Sequence, residues 1–207
     1  MLKFLYKNKD FVIVVKPVGV VSEDSGGGLV SLIRTELAAS DVYPIHRLDR
    51  DVGGVMVYAL NKKAAAELSR TVAENRMEKV YLAITSKAPS EDSGRLCDLL
   101  FKDSKKNKSF VVQRERKGVK YAELEYVTLC KMGERALVRV TLHTGRSHQI
   151  RVQFSSRGMP LVGDRKYGFS GEEREIALFS HKISFEYKGE QMSFSEIPSF
   201  AEGLLEK

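Results

Sequence analysis

The feature that most constrains the fold is a succession of short apolar runs that stop at glycine or proline turns. The run from Phe11 to Val15 ends at Lys16-Pro17 and has the length and composition of a buried strand. Similar runs predict strands at 52–60, 80–85, 179–187 and 191–194, and a hairpin that joins 121–130 to 136–142. A chain with this pattern is dominated by strands.

Helical spacing is confined to three segments. Apolar residues predict a short helix from 29 to 37, and Asn61 is suited to N-cap a second helix. A third is expected from Ser147, as its N-cap, to a stop near Gly158. Strands and helices do not alternate regularly, so the pattern predicts the α+β class, with a mixed, largely antiparallel sheet and flanking helices and loops.

The chain shows neither an internal repeat nor a linker, so one domain over residues 1–207 is expected. Residues 86–120 are rich in Ser, Gly, Lys and Arg and predict an excursion of short strands and exposed loops. The two cysteines, Cys97 and Cys130, lack CxxC partners, so neither a zinc site nor a disulfide framework is expected, and the cytoplasm is the simplest location. No apolar stretch approaches the roughly 18 residues of a membrane span. The net charge of +7 suits a polyanionic partner without requiring one.

The segment from 43 to 54 concentrates ionisable groups ahead of a predicted strand. Two carboxylates, Asp49 and Asp51, and two guanidiniums, Arg47 and Arg50, lie within five residues. One interpretation is a solvated loop held by ion pairs, and the other is a catalytic loop. The residues alone leave both open.

A second segment, from 142 to 152, joins a glycine turn to a helix start crowded by Arg146, His148 and Arg151. Amide groups and arginines suit a phosphate or carboxylate. A cationic helix end without a ligand is the alternative, although cations are unfavourable at a helix N-terminus. A third segment, from 158 to 168, has three glycines and a proline and predicts a tight loop.

Together these segments resemble the RluA-type pseudouridine synthases, in the family's order, from about Leu5 to Phe200. The hallmark H-R-L-D-R-D stands at residues 46–51, but Val52-Gly53 replaces the usual Thr-Ser. The other blocks are similar to T-G-R-[ST]-H-Q-I-R-V at 144–152, G-x-P-[IL]-x-G-D-x-x-Y-G at 158–168, K-x-Y-x-A at 79–83, and the opening K-P-x-G at 16–19. The resemblance implies the pseudouridine synthase fold in a bare catalytic domain, with no S4-like domain before it, and a monomer.

The resemblance also implies that specific uridines of tRNA or rRNA are isomerised to pseudouridine after base flipping, without a cofactor or metal. It assigns Asp49 as the nucleophile, attacking either C1′ of the ribose or C6 of the uracil. Arg151 would form an ion pair that keeps Asp49 ionised. Tyr81 would stack on the target base and is a candidate for removing the C5 proton.

Four further residues are expected to bind the substrate or shape the pocket. Arg47 would fill the space that the base vacates or hold the backbone, and His46 would shape the loop rather than ionise. Arg146 and His148 would support the pocket or contact phosphate. The basic residues between 105 and 117 are candidates for RNA contact outside the pocket, and a solvated face is the alternative.

Two rival functions come from other classes. A glycosidase would use Asp49 and Asp51 as its acid and nucleophile. Against it, the chain has no tryptophan, and a glycosidase mechanism gives the Arg151 segment no role. The other is an RNA-binding module that lost the chemistry. The presence of Asp49, Tyr81 and Arg151 together argues against that module.

Overall fold

The computed structural model describes residues 1–24 and 26–205. They form two compact units. Unit 1 comprises the described residues of Met1–Lys79 and Phe179–Ile197, and unit 2 comprises those of Val80–Leu178 and Pro198–Lys207.

The described residues form eleven strands and three α-helices. In chain order they are β1 (Lys3–Lys7), β2 (Phe11–Lys16), α1 (Leu29–Leu37), β3 (Tyr43–Pro44), β4 (Gly53–Ala59), α2 (Lys62–Ala73), β5 (Glu78–Thr85), β6 (Ser93–Asp103), β7 (Lys108–Val112), β8 (Val119–Met132), β9 (Arg135–Leu142), α3 (Gln149–Ser155), β10 (Leu178–Tyr187) and β11 (Glu190–Ser195).

In unit 1, β2 pairs antiparallel with β1 and with β4, and β10 pairs antiparallel with β11. β4 and β10 pair in parallel over a short stretch. Phe11, Val57 and Phe185 are buried in one cluster with Ala64 and Leu68, the inward residues of α2. β4 is buried along its whole length, so the loop before it leads into a well-packed strand.

The helix α2 begins directly after Asn61, which caps its N-terminus. The Asn61 side chain accepts a hydrogen bond from the Ala64 amide at 2.9 Å, as the cap predicted from the sequence requires. Lys188 and Gly189 turn β10 into β11 with φ values of +53° and +83°. Positive φ at both central positions is the geometry of a two-residue hairpin turn.

In unit 2 the pairings give the antiparallel order β5-β9-β8-β6-β7. The β8–β9 hairpin turns at Gly133 and Glu134, as predicted. Leu100 and Ala122 on the sheet pack with Val152 of α3 and with Tyr167. α3 therefore lies over the face of β6 and β8.

The α+β class with a mixed, largely antiparallel set of strands is confirmed. Residues 86–120 differ from the expectation of short strands, because β6 is eleven residues long. Leu96 and Leu100 are its only buried residues, so its pattern is too weakly apolar to predict such a strand. The assignment of residues 1–207 to one catalytic domain stays a prediction.

Candidate active site

Asp49 lies in unit 1, in a turn that leads into β4. The Val52 amide donates to the Asp49 carbonyl at 3.1 Å and closes the turn over Arg50 and Asp51. Asp49 is half-buried, whereas Asp51 is exposed. Asp49 therefore has the more sheltered carboxylate of the two.

The backbone on the far side of Asp49 is held by Lys16, a fully buried lysine at the end of β2. Its Nζ donates to the carbonyls of Val20, Pro17 and Arg50 at 2.6, 2.9 and 3.1 Å. Burial lowers the pKa of Lys16 to about 8, and the carboxylates of Asp51 and Asp49 oppose that shift. A buried cation of β2 thus interacts with both carboxylates of the turn.

The backbone on the near side is held by Ser22. Its hydroxyl donates to the Leu48 carbonyl at 3.0 Å and accepts from the Leu48 amide at 3.1 Å, which one hydroxyl can do at once. The Tyr58 hydroxyl donates in turn to the Ser22 carbonyl at 2.8 Å. Both neighbours of Asp49, Leu48 and Arg50, are therefore fixed by buried side chains.

His46 and Arg47 precede this turn and differ in environment. The His46 Nε2 accepts from the Val57 amide at 3.3 Å. Burial, followed by the charge of Lys79, lowers the pKa of His46 to about 4, so the imidazole is neutral near neutral pH. Arg47 is exposed and pairs with Glu23 at 2.9 Å. Because exposed ion pairs contribute about 1 kcal/mol or less, Arg47 can exchange Glu23 for another anion at small cost.

Gly53 and Gly54 allow a close approach of backbone. A Cβ on Gly53 would lie 3.2 Å from the Lys16 carbonyl oxygen, and one on Gly54 would lie 2.5 Å from the Ser180 amide nitrogen. Gly54 also has a φ of +131°, which side chains disfavour. The glycines thus let β4 pass close to its neighbours directly after the Asp49 turn.

In unit 2, Arg151 lies on α3 and is bound by Asp164. The Arg151 Nε donates to Oδ2 of Asp164 at 2.7 Å, and Nη2 donates to Oδ1 at 2.8 Å. The two side chains are only 3% and 0% exposed. The Arg151 guanidinium carbon lies 5.2 Å from the Tyr167 ring centroid. Two bonds and one ring face therefore fix the plane of this guanidinium.

The α3 N-cap is His148, in the left-handed conformation with φ +54°, and its side chain makes no cap bond. The prediction of Ser147 as N-cap is therefore wrong. The side chain that satisfies this turn is Gln149, whose Oε1 accepts from the Arg146 amide at 2.9 Å and from the Thr144 hydroxyl at 2.8 Å. A long amide side chain reaching back replaces the short cap that the sequence suggested.

His148 and Arg146 are both tied to their surroundings in unit 2. The His148 Nδ1 lies 2.8 Å from the Tyr167 hydroxyl, which also accepts from the Ser109 amide at 2.8 Å. The Arg146 Nε donates to the Tyr121 carbonyl at 2.8 Å. These bonds support the loop around α3, and phosphate contact by Arg146 or His148 stays a prediction.

Tyr81 lies in β5, opposite Val140 of β9, and is 6% exposed. Its flanking residues in the strand, Val80 and Leu82, are also buried. The position suits a ring held rigidly by a sheet. The stacking role remains a prediction.

The comparison with protein families settles the class. Residues 10–156 match the family of RNA pseudouridylate synthases. The chain belongs to this family. The resemblance to RluA-type enzymes is confirmed, as is the expectation of an RNA pseudouridine synthase, which is an isomerase.

Relatives of this synthase are found in several bacteria. It is 29% identical to an uncharacterised RNA pseudouridine synthase of Haemophilus influenzae, over 96% of the chain and 88% of that relative. It is 33% identical to one from Aquifex aeolicus, over 86% of the chain and 60% of the relative. It is also 27% identical to ribosomal large subunit pseudouridine synthase D of Borreliella burgdorferi, over 96% of the chain and 64% of the relative.

Solved structures agree on the fold. Human RNA pseudouridylate synthase domain containing 1 superposes with a TM-score of 0.83 at 23% identity, over 99% of the chain and 86% of that structure. Human RNA pseudouridylate synthase domain containing 4 gives a TM-score of 0.81 at 22% identity, over 98% and 91%. The synthase fold predicted from the motifs is confirmed.

The predicted catalytic residues of the synthase are divided between the units. Asp49 lies in unit 1, whereas Tyr81 and Arg151 lie in unit 2. Their roles and the predicted ion pair between Asp49 and Arg151 stay predictions. The sequence did not reveal four side chains that hold these residues or their backbone. Three of them lie inside the motif blocks, namely Lys16, Asp164 and Tyr167. The fourth, Ser22, lies outside those blocks.

Residues 1–24 and 26–205 show neither a metal-binding cluster nor a membrane-spanning helix. They contain no group of three or more His, Cys, Asp and Glu side chains placed to hold a metal ion. They also contain no helix long and apolar enough to span a membrane. The independence of the reaction from metals and cofactors stays a prediction.

Proposed function

We propose that this synthase converts uridines of tRNA or rRNA to pseudouridine with Asp49 as the nucleophile. The support is the environment of Asp49, whose neighbours Leu48 and Arg50 are fixed by buried Ser22 and Lys16. A clamped turn places a half-buried carboxylate with little freedom to move, as a preorganised nucleophile requires. The name of the Borreliella relative points to rRNA as one substrate class.

The reaction breaks the bond between C1′ of the ribose and N1 of the uracil, and forms a bond between C1′ and C5. The C5 proton is lost and N1 gains a proton, so the change is redox-neutral. The Asp49 carboxylate adds to C1′ or to C6, and the covalent intermediate divides one difficult step into easier ones. Both sites of attack remain open.

Arg151 is proposed to keep Asp49 ionised, since a nearby cation favours the charged form of a carboxyl group. The bidentate bond to Asp164 supports this role because a guanidinium fixed in plane needs no reorganisation during the reaction. Tyr81 is proposed to stack on the uracil and to accept the C5 proton. Its rigid strand position suits stacking.

The target base must leave its stack before it can reach Asp49. Arg47 is proposed to occupy the vacated space, exchanging its weak ion pair with Glu23 for RNA. Neutral His46 shapes the loop beneath it, and Arg146 and His148 hold the loop before α3 for the nucleotide. The protein is proposed to act as a cytoplasmic monomer.

The matched pair Asp49→Asn and Asp51→Asn tests the nucleophile. Both substitutions remove one charge from the same turn without changing size. Tritium release from tRNA and rRNA labelled with [5-³H]uridine should be abolished by Asp49→Asn, because a neutral amide is a far weaker nucleophile. Asp51→Asn should retain most of the activity, since the exposed Asp51 side chain has no assigned part in the chemistry.

The same pair separates the rival functions. A glycosidase that uses both carboxylates would lose activity in both variants and would hydrolyse a test glycoside. A binding module without chemistry would release no tritium even as wild type, while still binding RNA. Substantial turnover by Asp49→Asn, with folding intact, would exclude Asp49 as nucleophile.

A further inference from the structure

Most of the net charge of the chain lies in one short stretch of unit 2. Residues 102–120 contain eight Lys and Arg and two Asp and Glu, a formal net charge of +6, against +7 for all 207 residues. The rest of the chain is therefore close to neutral. Such a concentration favours a polyanion that meets this part of the surface.

The strand order places these charges at one end of β6. β7 and β8 flank β6 on opposite sides, through pairs such as Phe101 with Phe110 and Phe101 with Val119. The segment 113–118, which joins β7 to β8, must therefore cross one face of β6. The Arg116 guanidinium carbon lies 4.5 Å from the Phe101 ring centroid and marks that crossing. Because the Arg116 side chain covers Phe101, this face presents cations rather than an open stacking surface.

The turn between β6 and β7 is fixed by its own acidic residue. The Asp103 carboxylate accepts from the amides of Lys105 and Lys106 at 2.9 and 3.1 Å. This carboxylate is engaged with backbone, and both lysine side chains are exposed. We call the exposed cations of the turn and of the crossing segment the basic tip: Lys102, Lys105, Lys106, Arg114, Arg116 and Lys117.

The cations of the basic tip have no carboxylate within ion-pair distance among the residues that the structure describes. Some other cations of unit 2 do, since Arg135 pairs with Glu173 and Arg157 pairs with Asp98. The basic tip is therefore distinguished by the density of its positive charge, which ion pairs among the described residues do not neutralise.

The β6–β7 hairpin, which contains part of the basic tip, is bonded to the segments before and after α3. In β7, the Ser109 amide donates to the Tyr167 hydroxyl at 2.8 Å, and the Ser109 hydroxyl donates to the Ser147 carbonyl at 2.7 Å. The neighbouring Lys108 is committed to the same anchor, since its Nζ donates to the Lys166 carbonyl at 2.6 Å. Tyr167 also lies against Arg151. The position of the β6–β7 hairpin relative to Arg151 is thus fixed by hydrogen bonds within unit 2.

We propose that the basic tip binds phosphates of the substrate RNA at a distance from the target nucleotide. Lysines and arginines that neutralise phosphates release counterions, which gives affinity without reading sequence. RNA helices are recognised largely through phosphates and shape, which suits a tip of cations without exposed rings. This proposal rests on the proposed function, because RNA is the polyanion that the synthase must hold.

The test compares two double variants of the tip with a matched control. The tip variants are Lys105→Gln with Lys106→Gln, and Arg114→Gln with Lys117→Gln. The control is Lys62→Gln with Lys63→Gln, two adjacent exposed lysines on α2 of unit 1. Each double variant removes two charges. Thermal unfolding verifies that all three remain folded.

Binding of a fluorescein-labelled RNA stem–loop is measured between about 50 and 200 mM salt. Each tip variant should lower the slope of log Kd against log salt by about 1.5 units, because each lost phosphate contact accounts for about 0.7 to 0.9. Affinity at about 100 mM salt should fall at least about fivefold, and the half-saturating RNA concentration in turnover should rise with it. The control should leave slope and affinity close to wild type.

Equal slopes for tip variants and control would overturn the proposal, as would a tip variant that is slower only at saturating RNA. Preferential loss of binding to an acidic polypeptide, with RNA binding intact, would assign the tip to a protein partner instead. The tritium assay is separate from this comparison. Absence of release by the wild type would refute the proposed function, whereas the salt slopes would still decide whether the tip binds RNA.

Discussion

Arg151 and Asp164 form a bidentate ion pair inside unit 2, through Nε to Oδ2 at 2.7 Å and Nη2 to Oδ1 at 2.8 Å. The pair is nearly inaccessible to water. Two parallel bonds fix the guanidinium in one orientation, which a single bond would not do. The pair therefore joins the segment that resembles H-Q-I-R to the glycine loop that follows it.

Asp164→Asn should destabilise the protein by about 3 to 5 kcal/mol, because removing one partner of a buried pair leaves a charge with poor compensation. The free energy of unfolding in urea measures this loss. The control is Glu173→Gln, which breaks the half-exposed pair of Glu173 with Arg135 and should cost about 1 kcal/mol or less. Similar small losses in both variants would mean that the buried bond contributes little.

The sequence could predict the elements whose patterns are local. β2 and α1 have solid apolar runs or helical spacing, and Asn61 shows the start of α2. It could not predict β6, because most of its residues are only partly buried and an alternating pattern is hidden by polar residues. An element was therefore predictable where its buried residues form a clear apolar pattern in the sequence, and not where they do not.

In the candidate site, too, the sequence motifs indicate the central residues but not the side chains that bind them in the folded protein. The motif blocks contain Asp49 and Arg151, but nothing in them shows that Lys16 reaches three carbonyls, or that Asp164 holds Arg151. Lysine is almost never fully buried, so the residue type alone predicts an exposed side chain at position 16. Ser22 lies outside every quoted block and is recognisable only from its two bonds to Leu48.

His46 should make stability sensitive to mild acid. Its pKa is about 4 in the folded protein and about 6.5 when unfolded, so the unfolded chain binds more protons between these values. Its contribution is complete above pH 6.5 and is lost as the pH falls to 4. The difference in unfolding free energy between wild type and His46→Gln should therefore shrink by up to about 3 kcal/mol from pH 7 to 4.

The control for this measurement is His143→Gln. The His143 side chain is 40% exposed, so this variant removes a histidine from a different environment and shows how much of the change is specific to His46. Urea unfolding at several pH values gives both differences. A His46 difference that does not vary between pH 4 and 7 would contradict a neutral imidazole at this position.

Lys16 should have its effect at alkaline pH. Its pKa is about 8 when folded and about 10.5 when unfolded, so between these values the unfolded chain again binds more protons, and stability rises with pH. The unfolding free energy of wild type minus that of Lys16→Met should increase by about 2 kcal/mol from pH 7 to 10. The exposed Lys9→Met provides the comparison, and an equal increase there would refute the assignment to Lys16.

The last prediction separates the structural and catalytic roles of Arg151. Arg151→Met and Asp164→Leu should each lose several kcal/mol, about 3 to 5, because each leaves a buried charge without its bidentate partner. The double variant should regain most of that stability, since apolar residues of similar volume often replace a buried pair at little cost. Urea unfolding of the four proteins completes the cycle.

Activity should not return with stability. If Arg151 supports the Asp49 carboxylate, the double variant folds but its single-turnover rate stays lower by on the order of a hundredfold or more, which corresponds to about 3 kcal/mol of lost transition-state stabilisation. Its salt slope for RNA binding should stay near that of wild type, because a lost phosphate contact would lower the slope by about one unit. A double variant that recovers both stability and rate would show that Arg151 acts only through packing with Asp164. The nucleophile would then depend on another cation, and Lys16, which interacts with the Asp49 carboxylate, is a candidate in unit 1.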